Sequence, residues 1–201
     1  HNANLLYQIA TTWLIIAAWP IYLLIGVFAT TYLHVFGSGY TAGRSVVLVL
    51  AFAMAVGSGC GMVDMVLAMA GRTSWNLMNV SAALAIQMAI DITLIPHLGP
   101  LGAAIGLGAA ILINNIVPLT QIAVTMGIHP FGRASTSAAL LAIGCFGAVP
   151  LAIAAIMGTG VLAAAIALVA GGLLYLLGLF RLRRTLQLDA FMQLRRKARA
   201  S

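Results

Sequence analysis

"IDITLIPHLGPLGAAIG", residues 90–106, sets two prolines, three glycines and a carboxylate between two long apolar runs. Proline has no backbone N–H with which to continue a helix, and glycine takes the positive φ that a very tight reversal needs. Pro96 and Pro100 are therefore expected to stop one helix, and Gly99 and Gly102 to turn the chain into the next. The stretch reads as a hairpin between two antiparallel helices at a membrane surface.

The composition identifies the medium. Hydrophobic residues make up 63% of the chain and charged ones 6%, and the mean hydropathy of +1.10 excludes an ordinary water-soluble domain. About 20 apolar residues in a helix cross the hydrocarbon core of a bilayer. Six runs of that size occur, at about 12–33, 45–70, 74–95, 101–126, 135–157 and 160–180. Their separators, such as "GRT", "PHLGP" and "GTG", leave no room for a soluble domain. The alternation of barrel strands is absent, so the backbone is expected to satisfy itself within helices. The expected fold class is all-α, a polytopic membrane bundle of six transmembrane helices over 12–180. Residues 1–11 read as the end of a preceding loop or helix, and 181–201 as a basic tail. The chain opens at His1 without a methionine or a charged leader, so it is expected to lack its beginning, and no signal peptide is evident.

Basic residues set an expected orientation. With the tail "RLRRTLQLDAFMQLRRKARAS" in the cytoplasm, Arg72, Arg133 and the seven cations of the tail lie inside and Arg44 alone lies outside. The formal charge of +7 then reflects topology and anionic lipid headgroups. No basic patch interleaved with aromatics is present, so nucleic acid is not an expected partner. Cys60 and Cys145 have no CxxC pair or neighbouring histidine and read as small buried hydrophobes, with neither disulfide nor metal site expected. His34, His97 and His129 fall at helix ends or in loops and read as interfacial side chains, and Trp13, Trp19 and Trp75 as interface anchors.

No GxxxxGK[ST] occurs, so a P-loop is excluded, and transport would draw on a gradient or potential. No serine has a histidine placed to activate it, and no cofactor is implied. What remains is polarity inside the spans, where a charge is costly and faces a cavity or a partner. Asp64 and Asp91 are the acidic residues there, and by helical rise their depths differ by roughly 15 Å, too far for a carboxylate pair. Taking Asn79 as zero at about 100° per residue, Asn76 falls near 60°, Gln87 near 80° and Asp91 near 120°. One third of the third span's circumference is thus polar. Asn114 and Gln121, seven apart in the fourth span with Pro118 between them, share a side. Two readings stand: Asn76, Asn79, Gln87, Asp91, Asn114 and Gln121 line a substrate path, or they hydrogen-bond helix to helix. Asp64 reads as an ion-coupling candidate or as a local partner of Arg72. Pro20 and Pro150 mark further expected kinks.

The run "AMAGRTSWNLMNVSAALAIQMAIDITLIPHLGPLGAAIG", 68–106, resembles the C-terminal half of the polysaccharide (O-antigen type) flippases of the multidrug/oligosaccharidyl-lipid/polysaccharide exporter superfamily. The shared marks are Gly71, Arg72 and Thr73 between two helices, Gln87 and Asp91 four apart ahead of Leu94, Ile95 and Pro96, and then Gly99, Gly102, Ala103 and Ala104. Where such flippases carry asparagine at both polar positions, this chain has Gln87 and Asp91. The resemblance covers the first four spans; the last two match only as hydrophobic spans.

The resemblance implies the last six helices of a two-lobed transporter of 12 to 14, without enzymatic activity. Such a protein moves an undecaprenyl-pyrophosphate-linked oligosaccharide across the bacterial cytoplasmic membrane by alternating access, for surface polysaccharide biosynthesis. Its implied partners are the lipid-linked oligosaccharide, membrane lipids, and polysaccharide polymerase and chain-length machinery. No Lys or Arg lies well inside a span, so neutralising the pyrophosphate would fall to another lobe or to Arg44 and Arg72 at the rims. The alternatives are a lipid II flippase or a cation-coupled multidrug exporter of the same superfamily, and a non-transporting membrane subunit.

Overall fold

The computed structural model describes residues 2–182, and every regular element among them is helical. The first crossing is α1 (Asn2–Val27) followed by α2 (Ala29–Val35). After a 3-10 turn over Ser38–Gly43, α3 (Arg44–Cys60) and α4 (Val63–Met69) make the second. α5 (Thr73–Leu98) and α6 (Pro100–Met126) are the third and fourth. α7 (Arg133–Ala142), a π-helical turn (Ile143–Ala148) and α8 (Val149–Met157) compose the fifth, and α9 (Val161–Arg181) the sixth. Six helical segments are long and apolar enough to cross a bilayer, and the chain is an all-α, multi-pass membrane protein. The tail expected beyond Leu182 lies outside the described residues.

The helices pack in a row: α5 on α6, α6 on α3 and α4, α3 on α1, α1 on the α7–α8 crossing, and that crossing on α9. One core joins Leu24 and Phe28 of the first crossing to Cys145, Phe146, Ala167 and Tyr175. There the Phe146 and Tyr175 rings meet edge to face at 5.3 Å, and the Tyr175 hydroxyl donates to the Ile16 carbonyl at 3.0 Å. A second core gathers Tyr7, Cys60, Val63, Leu67 and Ile122. The end members of the row keep large apolar side chains outward, among them Leu77, Leu84 and Ile92 on α5 and Leu173 and Phe180 on α9. In water such a surface is a liability; lipid tails cover it at no such cost.

The structure departs from the sequence reading in five places. α1 begins at Asn2, so residues 2–11 belong to the first crossing. The threonine hydroxyls there are absorbed by the helix itself, Thr11 and Thr12 donating to the carbonyls of Tyr7 and Gln8 at 2.8 and 2.7 Å, while Asn4 and Gln8 bond the backbone of His129. The second span is two helices rather than one. Gly61 takes φ +78°, and a Cβ there would run into Thr11 Oγ1 and stand 3.0 Å from the Tyr7 ring. The Tyr7 hydroxyl donates to the Cys60 carbonyl at the break, so that carbonyl is not left bare in hydrocarbon.

Pro96 does not end its helix. α5 runs on to Leu98, because one missing N–H in a last turn removes a single bond, and Gly99 at φ +55° makes the stop. Pro100 then opens α6 at a position where the missing N–H costs nothing. The fifth span carries the π turn just ahead of Pro150. A helix register that widens before proline relieves the clash with the preceding turn, and Gly171 lets α9 come in so closely that a Cβ would lie 2.6 Å from the Cys145 carbonyl oxygen. Trp19 packs against the cores instead of anchoring an interface, its Nε1 buried without a partner among the described residues.

Gly61→Ala is expected to lower stability by about 1–3 kcal/mol, the cost of a positive-φ, extended-ψ backbone that is essentially reserved for glycine, with a steric conflict added. Gly172→Ala, on α9 with nothing near its Cβ position, is expected to be neutral or mildly stabilising. Thermal unfolding of the two variants in one detergent measures both.

Candidate functional site: the seam between α5 and α6

α5 packs chiefly on α6, and its inward residues are Asn76, Asn79, Ala83, Gln87 and Asp91, while Leu77, Met78, Leu84 and Met88 are exposed. The polar third of the helix is therefore the face laid on its neighbour. The two helices meet through a one-residue link at Gly99, and Gly102 allows the closest approach: a Cβ there would lie 2.6 Å from the Leu94 carbonyl carbon. Ala104 is buried two residues further on, and Ala103 is half-buried. Small residues bring backbones together without needing a hydrophobic drive, which lipid removes.

The polar residues divide by what they meet. Asn79 Nδ2 donates to Gln121 Oε1 at 2.8 Å and Gln121 Nε2 returns to Asn79 Oδ1 at 3.0 Å, a reciprocal amide pair tying α5 to α6. Gln87 and Asn114 line one crevice of about 250 Å³ together with Val80, Ala83, Leu84, Ala110 and Ile111. Asp91 lies over Gly106, where an added Cβ would run into its Oδ1. Asn76 Oδ1, Asp91 Oδ1 and Asn114 Oδ1 are each buried without a hydrogen-bond partner among the described residues. α6 supplies no ionisable side chain to any of them. A seam with three uncommitted oxygen acceptors is suited to groups that bring donors, such as hydroxyls or water.

Asp64 lies elsewhere. It is exposed in the first turn of α4, between the exposed Met62 and Met65, and so on neither of the two seam helices. Its pairing with Arg72 is not formed among the described residues: the Arg72 guanidinium sits 4.2 Å over the Trp75 ring. Gly71, at φ +72°, terminates α4 in a Schellman arrangement, with its own N–H bonded to the Ala68 carbonyl and the Arg72 N–H to that of Leu67, both at 3.0 Å. Gly71, Arg72, Gly99 and Gly102 thus have local geometric reasons for their identities.

Asn115 escaped the sequence reading. Its amide donates to the Ile111 carbonyl at 2.8 Å and stands 3.2 Å from where a Cβ on Gly57 would be, so it marks the α3–α6 contact. The Asn114–Asn115 doublet carried the only signal, and the helix puts the two side chains on different neighbours. No family model, no curated protein and no solved structure matches the chain.

The seam's geometry is testable by coupled substitutions. Gly106→Ala is expected to destabilise the wild type by displacing Asp91 and to cost far less in an Asp91→Ala background. A cycle of Asn79→Ala and Gln121→Ala is expected to give a coupling of about 0.6 kcal/mol, up to roughly 1.7, as for other hydrogen bonds within membranes. Unfolding of the four combinations of each pair reads both effects.

Proposed function

We propose that this chain is the six-helix part of a flippase that carries a polyprenyl-pyrophosphate-linked oligosaccharide across the bacterial cytoplasmic membrane by alternating access. The observation that supports it is the α5–α6 seam, where the buried acceptors of Asn76, Asp91 and Asn114 await donors among the described residues and Gln87 lines the same crevice as Asn114. A glycan brings hydroxyl donors in number, and a lobe able to part at this seam would receive them. The resemblance of 68–106 to the O-antigen type flippases points to the same cargo. The excess of cations at one end of the alternating spans supports a cytoplasmic C-terminus. A second reading, cation-coupled export within the same superfamily, is favoured by one feature, the unpartnered carboxylate oxygen of Asp91.

Depleting the protein in its host is expected to accumulate polyprenyl-linked oligosaccharide on the cytoplasmic face, reversed by the intact gene. Gln87→Leu and Asn114→Leu are expected to slow reversal about fivefold each, the loss of roughly one hydrogen bond per site, at unchanged protein level. Unchanged oligosaccharide with altered resistance to cationic drugs would move the assignment to the exporter.

A further inference from the structure

At the end of the bundle opposite the α4–α5 turn, α2 meets the turn that joins α8 to α9. The Thr31 hydroxyl donates to the Thr159 carbonyl and pins the two together. Beside this bond lies a cavity of about 380 Å³ lined by Thr30, Thr31, His34, Val35, Thr159, Gly160 and Val161. The hydroxyls of Thr30 and Thr159 and the imidazole of His34 make no hydrogen bond among the described residues. Neither Asp nor Glu contributes to the lining.

A second cavity, of about 220 Å³, shares Thr31, Val35 and Val161 with the first. It continues along Leu24, Tyr32, Ala164, Ala165 and Leu168, within the first and sixth crossings. Its walls are apolar apart from Thr31 and the Tyr32 hydroxyl, and Ala164 and Ala165 leave the room that bulkier α9 residues would fill. A polar mouth at the membrane surface thus opens into an apolar furrow directed into the bilayer. A sugar or a free anion would leave the furrow empty, and a hydrocarbon would leave the mouth unsatisfied; an amphiphile with a phosphate headgroup uses both.

We infer that this joined cavity is a binding site for a membrane glycerophospholipid, its phosphate on Thr30, His34 and Thr159 and one acyl chain along Ala164, Ala165 and Leu168. The site is separate from the α5–α6 seam and does not depend on how that seam is used. Bound there, the lipid adds a bridge between the first crossing and α9 to the core in which Leu24 and Phe28 meet Ala163 and Ala167.

The test is native mass spectrometry of the chain purified in mild detergent from membranes, with lipids extracted from the retained complex. One glycerophospholipid per chain is expected. Ala165→Phe, which fills the furrow from its exposed side, is expected to cut the retained fraction at least fivefold, and Thr159→Val to cut it about threefold. Leu173→Phe, also exposed on α9 but outside the furrow, is expected to leave it unchanged. No retained lipid in the wild type, equal loss in Leu173→Phe, no loss in Ala165→Phe, or retention of an isoprenoid phosphate in place of a glycerophospholipid would each overturn the assignment.

Discussion

A backbone carbonyl or N–H that leaves its helical partner inside hydrocarbon must find another, at a cost of several kcal/mol if it does not. The irregular places of this bundle answer to that requirement. The break between α3 and α4 lies within a span, and it exists because the Tyr7 hydroxyl reaches the Cys60 carbonyl while Gly61 leaves the space for it. The break in turn shapes the second core, since Cys60, Val63 and Leu67 approach Ile122 from both sides of it. The π turn ahead of Pro150 is the same bargain struck with a wider helical register, and Gly171 of α9 admits the displaced Cys145 carbonyl.

The demand extends to side chains. Threonines within the crossings return their hydroxyls to carbonyls a turn earlier, as Thr11, Thr12, Thr93 and Thr125 do, which lets them stay on membrane helices without a distant partner. Amides cannot be absorbed so locally. Asn79 and Gln121 answer by pairing with each other across the seam, two donors and two acceptors closed in one contact. Asn76, Asp91 and Asn114 leave an acceptor open each, and they lie on the same pair of helices.

The six crossings were legible because hydropathy over twenty residues is a sum, insensitive to the few positions that break a helix. The breaks themselves were not, since they rest on contacts distant in sequence: Gly61 is separated from Tyr7 by more than fifty residues, and in a run of small residues nothing local distinguishes it from Gly57. Pro96 misled in the opposite direction, because its effect depends on how many turns follow it, and here fewer than one does. The polar face of α5 was visible from angular position alone. Which of its members pair was not, because the partner of Asn79 is set by the register that Gly99 and Gly102 impose on α6. Asn115 was hidden by its neighbour, as adjacent helical residues point about 100° apart and so face different helices. Asp64 drew attention as a charge in a span, yet it stands in the first turn of a short helix, where the N–H ends of the peptide dipoles favour a negative group.

The seam's position in the row bears on what it can do. α5 is an end member, in close contact with α6 and otherwise chiefly with the short α4, so among the described residues parting α5 from α6 leaves the first core intact and touches the second only through Trp75. The link at Gly99 and the close packing at Gly102 fix one end of the pair. At the other, Arg72 stacks on Trp75, and Trp75 packs against the second core. The amide pair between Asn79 and Gln121 is the principal polar tie between them. A donor-rich solute that competes for those amides would replace the tie with its own hydrogen bonds, and the open acceptors of Asn76, Asp91 and Asn114 on the same two helices would add to them.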